Sequence, residues 1–203
     1  MRKALTIFIL ACVSYHVADA QEKAHTRITY GVEWGWSAVF FSGYHYNFFA
    51  PEGYRVNPSG HSFDLCGNAE AYLHVGYDIT GLWNISFYAG LAGVGKYDMV
   101  VPLSVRGTRF FGDDPNTDRW FVYLDCGTGV VIKPDPQEIL AGKVGAGYRL
   151  SLSRNIKLDF MANLRTTFTH PRVEYYGKEI PFDRINRNNA YVSALSFDIA
   201  LTF

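Results

Sequence analysis

The stretch that most restricts this chain is Asn189 to Phe203, NAYVSALSFDIALTF. Tyr191, Leu195, Phe197, Ile199, Leu201 and Phe203 occupy odd positions, with Ser193 the exception. Ala194, Ser196, Asp198, Ala200 and Thr202 occupy the even ones. A period of two is a strand with one apolar face and one polar face. A strand closing on an aromatic residue is the usual last strand of a transmembrane barrel. It pairs with the first strand, so that no edge is left open.

The same alternation recurs along the chain. Segments Arg27–Phe41, Phe63–Tyr77, Trp83–Gly95, Val100–Phe111, Trp120–Val130, Ile139–Leu152 and Ile156–Thr169 all carry it. With the last strand they predict an all-β fold, an eight-stranded antiparallel transmembrane β-barrel. If the apolar faces point outward, the polar faces fill the lumen with Glu33, Glu70, His74, Arg106, Asp125, Lys143, Arg149, Lys157, Asp159, Arg165 and Asp198. Arg27 and Asp78 complete a set of six positive and six negative side chains. The interior of an eight-stranded barrel is just wide enough for side chains, so equal charges can pair there. A soluble sandwich alternates too, but leaves that balance unexplained.

The links support the membrane reading. Thr80–Leu82, Gly112–Asp118 and Ser153–Asn155 are short, whereas Ser42–Ser62 and His170–Asn188 on the other side are long, with Lys96–Asp98 and Pro134–Pro136 as short exceptions there. Short periplasmic turns and longer external loops are the outer-membrane pattern. Tyr30, Tyr77, Trp83, Trp120, Tyr148 and Phe203 fall at one expected interface, and Phe40, Phe63, Phe168 and Tyr191 at the other. Both termini are expected in the periplasm.

The first residues read as an export signal. Arg2 and Lys3 precede an apolar run, Ala4 to Val13, and Ala18-Asp19-Ala20 offers a cleavage site. Residues 1–20 are therefore expected to be a signal peptide and 21–203 the barrel. Ile9-Leu10-Ala11-Cys12 is a competing lipoprotein site, and a mature N-terminus at Gln21 would exclude it. The 19 Lys+Arg balance 19 Asp+Glu, which argues against a nucleic-acid partner.

Several features contain residue types that can carry chemistry. His74 and Glu70 share the lumen face, where a hydrogen-bonded network accounts for them. His61-Ser62-Phe63-Asp64 contains the residue types of a hydrolase triad, but neighbours on a strand alternate faces. Cys66 and Cys126 point to opposite sides of non-neighbouring strands, a poor geometry for a disulfide. The six His show no metal-ligand spacing. No catalytic, metal or cofactor site is expected. The loops carry the better binding candidates: Tyr44, Tyr46, Phe48, Phe49, Tyr54 and Arg55 in the first, and Arg172, Tyr175, Tyr176, Lys178, Arg184 and Arg187 in the last. Tyr and Arg dominate binding surfaces. Residues 173–182, around Gly177-Lys178, are expected to form a hairpin above the membrane.

The phrases MVVPLSVRGTRFF, WFVYLDCGTGVVI, GKVGAGYRLSLSRNIKLDF and LSFDIALTF resemble the small OmpA-like and PorT-like outer-membrane barrels common in Bacteroidota. The resemblance spans nearly the whole mature chain and implies fold and location. Such barrels include anchors, adhesins and secretion factors, so it implies no single activity. The peptidoglycan-anchoring role of two-domain relatives is not carried over. The expectation is a non-enzymatic, monomeric outer-membrane protein acting in envelope structure or through its external loops. Its expected partners are outer-membrane lipid, lipopolysaccharide, the barrel-assembly machinery and a ligand of unknown identity. A narrow pore and a lipid-modifying enzyme are the alternatives.

Overall fold

The structure is a computed structural model. It describes residues 27–203 except 64, 96–97, 113, 134–136 and 172, so the expected signal peptide and the Cys12 alternative lie outside the described residues. In chain order the elements are β1 (Ile28–Phe49), β2 (Arg55–Val56), β3 (Ser59–Ser62), β4 (Cys66–Thr80), β5 (Trp83–Val94), β6 (Asp98–Phe110), β7 (Arg119–Lys133), β8 (Gln137–Ser151), β9 (Lys157–Thr169), β10 (Glu174–Tyr175), β11 (Lys178–Glu179), a single 3-10 turn (Phe182–Arg184) and β12 (Ile185–Thr202).

Eight long antiparallel strands, β1, β4 to β9 and β12, make the wall, and β12 returns to pair with β1. The sheet is thus a closed barrel, which removes the open edges that would otherwise invite pairing with another chain. At the closing seam Tyr30 N–H donates to Phe203 O (3.1 Å) and Phe203 N–H to Tyr30 O (2.8 Å).

The faces follow the period of two. On β9, Lys157, Asp159, Met161, Asn163, Arg165 and Thr167 are buried, while Phe160, Leu164 and Phe168 lie outside. The outer surface is a continuous apolar band including Leu73, Phe87, Leu103, Leu124 and Val144, all more than half exposed. Inside, large and small residues interdigitate. A Cβ at Gly147 would lie 2.4 Å from the Phe121 ring, and one at Gly145 2.7 Å from the Tyr123 ring. Those glycines leave room for two aromatic side chains of the neighbouring strand.

Aromatic rings mark both ends of the band. Tyr30 stacks on Phe203 (5.8 Å) and Trp120 packs on Tyr148 (4.9 Å) at the end holding the termini. At the far end Phe41 contacts Phe63 (5.0 Å) and Tyr191 (5.7 Å), and Tyr191 reaches Phe168 (6.5 Å). Phe41 joins this belt, where the alternation places Phe40 alone; Phe40 is exposed as well. The register explains it: Val39 pairs with Ala194 and Phe41 with Ser193, so Phe40 is an extra residue in a bulge. Beyond the bulge the parity of β1 reverses, and odd positions point outward.

Two boundaries differ most from expectation. The first long loop is mostly strand: β1 runs on to Phe49, and β2 and β3 fold back to pair with it. The last strand begins at Ile185 rather than at Asn189. Polar and aromatic residues at these positions mask the alternation, because both faces here meet water or other loops.

Candidate functional site

The lumen is filled in layers. Arg106 on β6 crosses to Glu33 on β1 with two bonds, Nη1 to Oε2 (2.6 Å) and Nη2 to Oε1 (3.0 Å). Its Nε donates to Asp125 of β7 (3.1 Å), and its guanidinium lies over the rings of Tyr88 (3.9 Å) and Tyr123 (4.4 Å). Alongside, Glu70 on β4 accepts from Lys143 (3.2 Å), Arg165 (2.9 Å) and the Tyr72 hydroxyl (2.9 Å). Glu70 and Lys143 stand on opposite walls of the barrel. Arg149 holds Asp159 through two bonds of 2.7 Å. Of the three remaining lumen candidates, Lys157 and His74 meet neutral partners, whereas Asp198 also lies beside the Glu70 carboxylate. Asp198 accepts from Asn163 (2.7 Å), Lys157 donates to the Ser151 hydroxyl and to Ser153 O, and His74 lies 3.4 Å from the Thr202 hydroxyl and stacks on Tyr88.

Above this network the inward residues turn aliphatic. Ala92, Val94, Val100, Val131 and Ile139 pack into a plug, with Val100 fully buried. Below it Phe110, Phe121, Tyr123 and Met161 form another cluster. The plug went unseen because only the charged residues of the inward face stood out, although alternation puts Val100, Val131 and Ile139 there too. Arg119 was also missed. It is buried, donates to Gly81 O (2.6 Å) and lies over Phe110 (3.9 Å). Parity with outward Trp120 places it inward, one residue before the alternating run Trp120–Val130. Arg27, by contrast, is exposed at the rim, where its Nη1 donates to the Tyr77 hydroxyl (3.4 Å).

The second assembly lies beyond the far aromatic belt. Phe48, Val173 and Ile180 are buried together, flanked by Tyr46, Val56, Tyr175 and Ile185. Phe48, expected as an exposed binding residue, is only 1% exposed and is core. The reason is the parity reversal, which turns it onto the inner face of the extended β1. Residues 173–182 include the expected hairpin, with β10 pairing β11 and Tyr176-Gly177 at the turn. Tyr176 has a φ of 50°, costly for a bulky residue, and is 86% exposed. The Tyr54 and Tyr175 hydroxyls bond at 2.8 Å and tie the first loop to the last. That bond is the main cause holding the Tyr175 phenol above its ordinary pKa; the Tyr176 phenol is raised chiefly by its bond to Tyr175, and the charge of Glu52 adds to both. Tyr44, Phe49, Arg55, Arg184 and Arg187 are exposed. Arg172 and the side chain of Lys178 lie outside the described positions.

The two loops are therefore one folded platform with a small core of its own. Replacing Ile180 by alanine is expected to cost that core about 2–5 kcal/mol. The platform should become protease-sensitive while the barrel keeps its heat-modifiable migration on gels. Unchanged proteolysis would show that the core does not hold the loops.

The remaining chemical candidates fall apart in space. His61 points outward, stacked on Phe41 (5.6 Å), with Nδ1 3.4 Å from the Tyr191 hydroxyl. Ser62 points the other way and bonds the Ser42 hydroxyl (2.8 Å), and Asp64 lies outside the described residues. Cys126 is exposed on the outer wall and Cys66 is partly buried near Gly95 O (3.2 Å).

Comparison with solved structures gives the architecture a reference. OprG of Pseudomonas aeruginosa, an outer-membrane protein, aligns at a TM-score of 0.50 and 11% identity, over 89% of this chain and 98% of that one. The fold is that of a small outer-membrane β-barrel. The N-terminal barrel of P. aeruginosa OprF (TM-score 0.39, 15% identity, 84% and 97% covered) and Neisserial surface protein A (0.39, 14%, 85% and 99%) were also matched. No family model matches the chain, and no curated protein matches it.

Proposed function

We propose that this chain is an integral outer-membrane protein of non-enzymatic role, with both termini in the periplasm, that acts through its external platform in binding or envelope structure. The observation that carries this is the pairing of a filled lumen with a separately cored platform. Arg106, Lys143 and Arg165 reach across the lumen to buried carboxylates, and an aliphatic plug lies above them. Moving a hydrated solute through would mean breaking those pairs in a low-dielectric interior. The platform, in contrast, presents Tyr44, Phe49, Tyr54 and Tyr176 to solvent on a rigid support. Rigid aromatic side chains give contact area at low entropic cost. The apolar outer band and its two aromatic belts support the membrane placement.

The test exchanges the 44–57 segment and the 172–187 segment for short turns, alone and together. Heat-modifiable folding is expected to persist while any cell-surface binding phenotype disappears. Binding that survives both exchanges would remove the proposal. Planar-bilayer recordings of the refolded protein are expected to be flat, and identical lipid A mass spectra are expected from cells with and without it.

A further inference from the structure

The outward face of the platform carries a cluster that the filled lumen and the exposed tyrosines leave unused. Because the bulge at Phe40 reverses parity, Asn47 points away from the barrel axis, on the same side as Tyr191 and the aromatic belt. Arg187 pairs with Asn47 across β12, and cross-strand partners share a face. From the other side Arg55, paired with Phe49 on β2, donates its Nε to Asn47 Oδ1 at 2.8 Å. Both arginines are exposed.

The chemistry of this trio is one-sided. The Asn47 oxygen is already occupied by Arg55, which leaves its amide N–H groups, the terminal Arg55 nitrogens and the Arg187 guanidinium. All of these are donors. The ion pairs of Glu33, Glu70, Asp125 and Asp159 lie in the lumen, away from this face. Two cations on either side of an amide, with donors only, match a tetrahedral oxyanion that accepts bidentate bonds.

Position selects the kind of oxyanion. Asn47 is six residues beyond Phe41 of the belt. At roughly 3.3 Å per residue that is about 20 Å along the strand. A tilt near 45° reduces it to a height of about 14 Å. The headgroup layer on one side of a bilayer is only about 5–8 Å deep. A glycerophospholipid phosphate at the belt therefore lies too low. A phosphate carried on the saccharide of an outer-leaflet glycolipid stands at the right height.

We infer that Arg55, Asn47 and Arg187 form a site for saccharide-borne phosphate groups of an outer-leaflet glycolipid packed against the β1–β12 wall. This rests on the membrane placement proposed above, but not on a ligand for the tyrosine face.

The experiment uses the mature barrel in phosphatidylcholine nanodiscs. Binding is measured for purified phosphorylated lipooligosaccharide, for the same material with its phosphates removed, and for phosphatidylglycerol. Arg55→Gln with Arg187→Gln is expected to weaken binding of the phosphorylated form ten-fold or more, and either substitution alone about three-fold. Wild-type binding should fall as salt rises. Phosphate-free material and phosphatidylglycerol are expected to bind weakly to both proteins. Undiminished binding by the double variant, or equal binding of the phosphate-free form, overturns the site. Phosphatidylglycerol competing as well as the glycolipid would overturn the height argument. Heat-modifiable migration and platform proteolysis show that the variants fold. A failed site leaves insertion intact, whereas a wrong membrane placement abolishes insertion for every variant.

Discussion

Replacing Arg106 by alanine is expected to destabilise the barrel by roughly 3–5 kcal/mol, the penalty for stripping a buried ion cluster of one partner. Glu33 has no exposed side-chain surface and Asp125 has 5%, so neither carboxylate can recruit bulk water in place of the guanidinium. The substitution also removes the cation from the faces of Tyr88 and Tyr123. Urea titration of the protein refolded in lipid, read by gel migration, measures the loss. The companion variant Arg106→Met, Glu33→Gln, Asp125→Asn should recover most of it, because an uncharged trio of similar volume leaves no unpaired charge at this place. An Arg106→Ala protein as stable as the wild type would show that the network contributes little.

The second large effect concerns the outer face. Leu164 and Phe168 lie on the same side of β9 and are each 51% exposed. Leu164 sits at the middle of the strand, and Phe168 sits in the far belt beside Tyr191. In lipid, arginine at the midplane costs about 2–4 kcal/mol and close to the interface about 0–1. Leu164→Arg is therefore expected to lower stability far more than Phe168→Arg, by the same titration. On a water-facing surface, equal exposure would give equal and small effects. That outcome would refute a membrane-embedded wall.

Much of this molecule was legible in the chain. The alternation located all eight wall strands and the faces of Glu33, Glu70, Arg106, Asp125, Lys143 and Asp198, because side-chain direction in a strand is a purely local property. The hairpin between β10 and β11 was legible too, since glycine at a positive φ is a local turn signal. What failed was anything set by partners distant in sequence. Alternation puts Val100 and Val131 on the inward face, but that they meet Ala92, Val94 and Ile139 in a plug depends on how the strands converge. Phe48 looks like an exposed aromatic until the Phe40 bulge turns it onto Val173 and Ile180. Which cation meets which carboxylate was likewise undetermined. Arg106 and Glu33 are 73 residues apart, as are Lys143 and Glu70.

The division has one physical cause. Local sterics make each strand, and the contrast between apolar and charged faces says which side meets lipid, so the sequence by itself determined a closed eight-stranded wall. Register, bulges and the pairing of charges across the lumen depend on how the strands are staggered around the axis. Only the tertiary structure decided those, and with them the filled lumen, the cored platform and the arginine pair flanking Asn47.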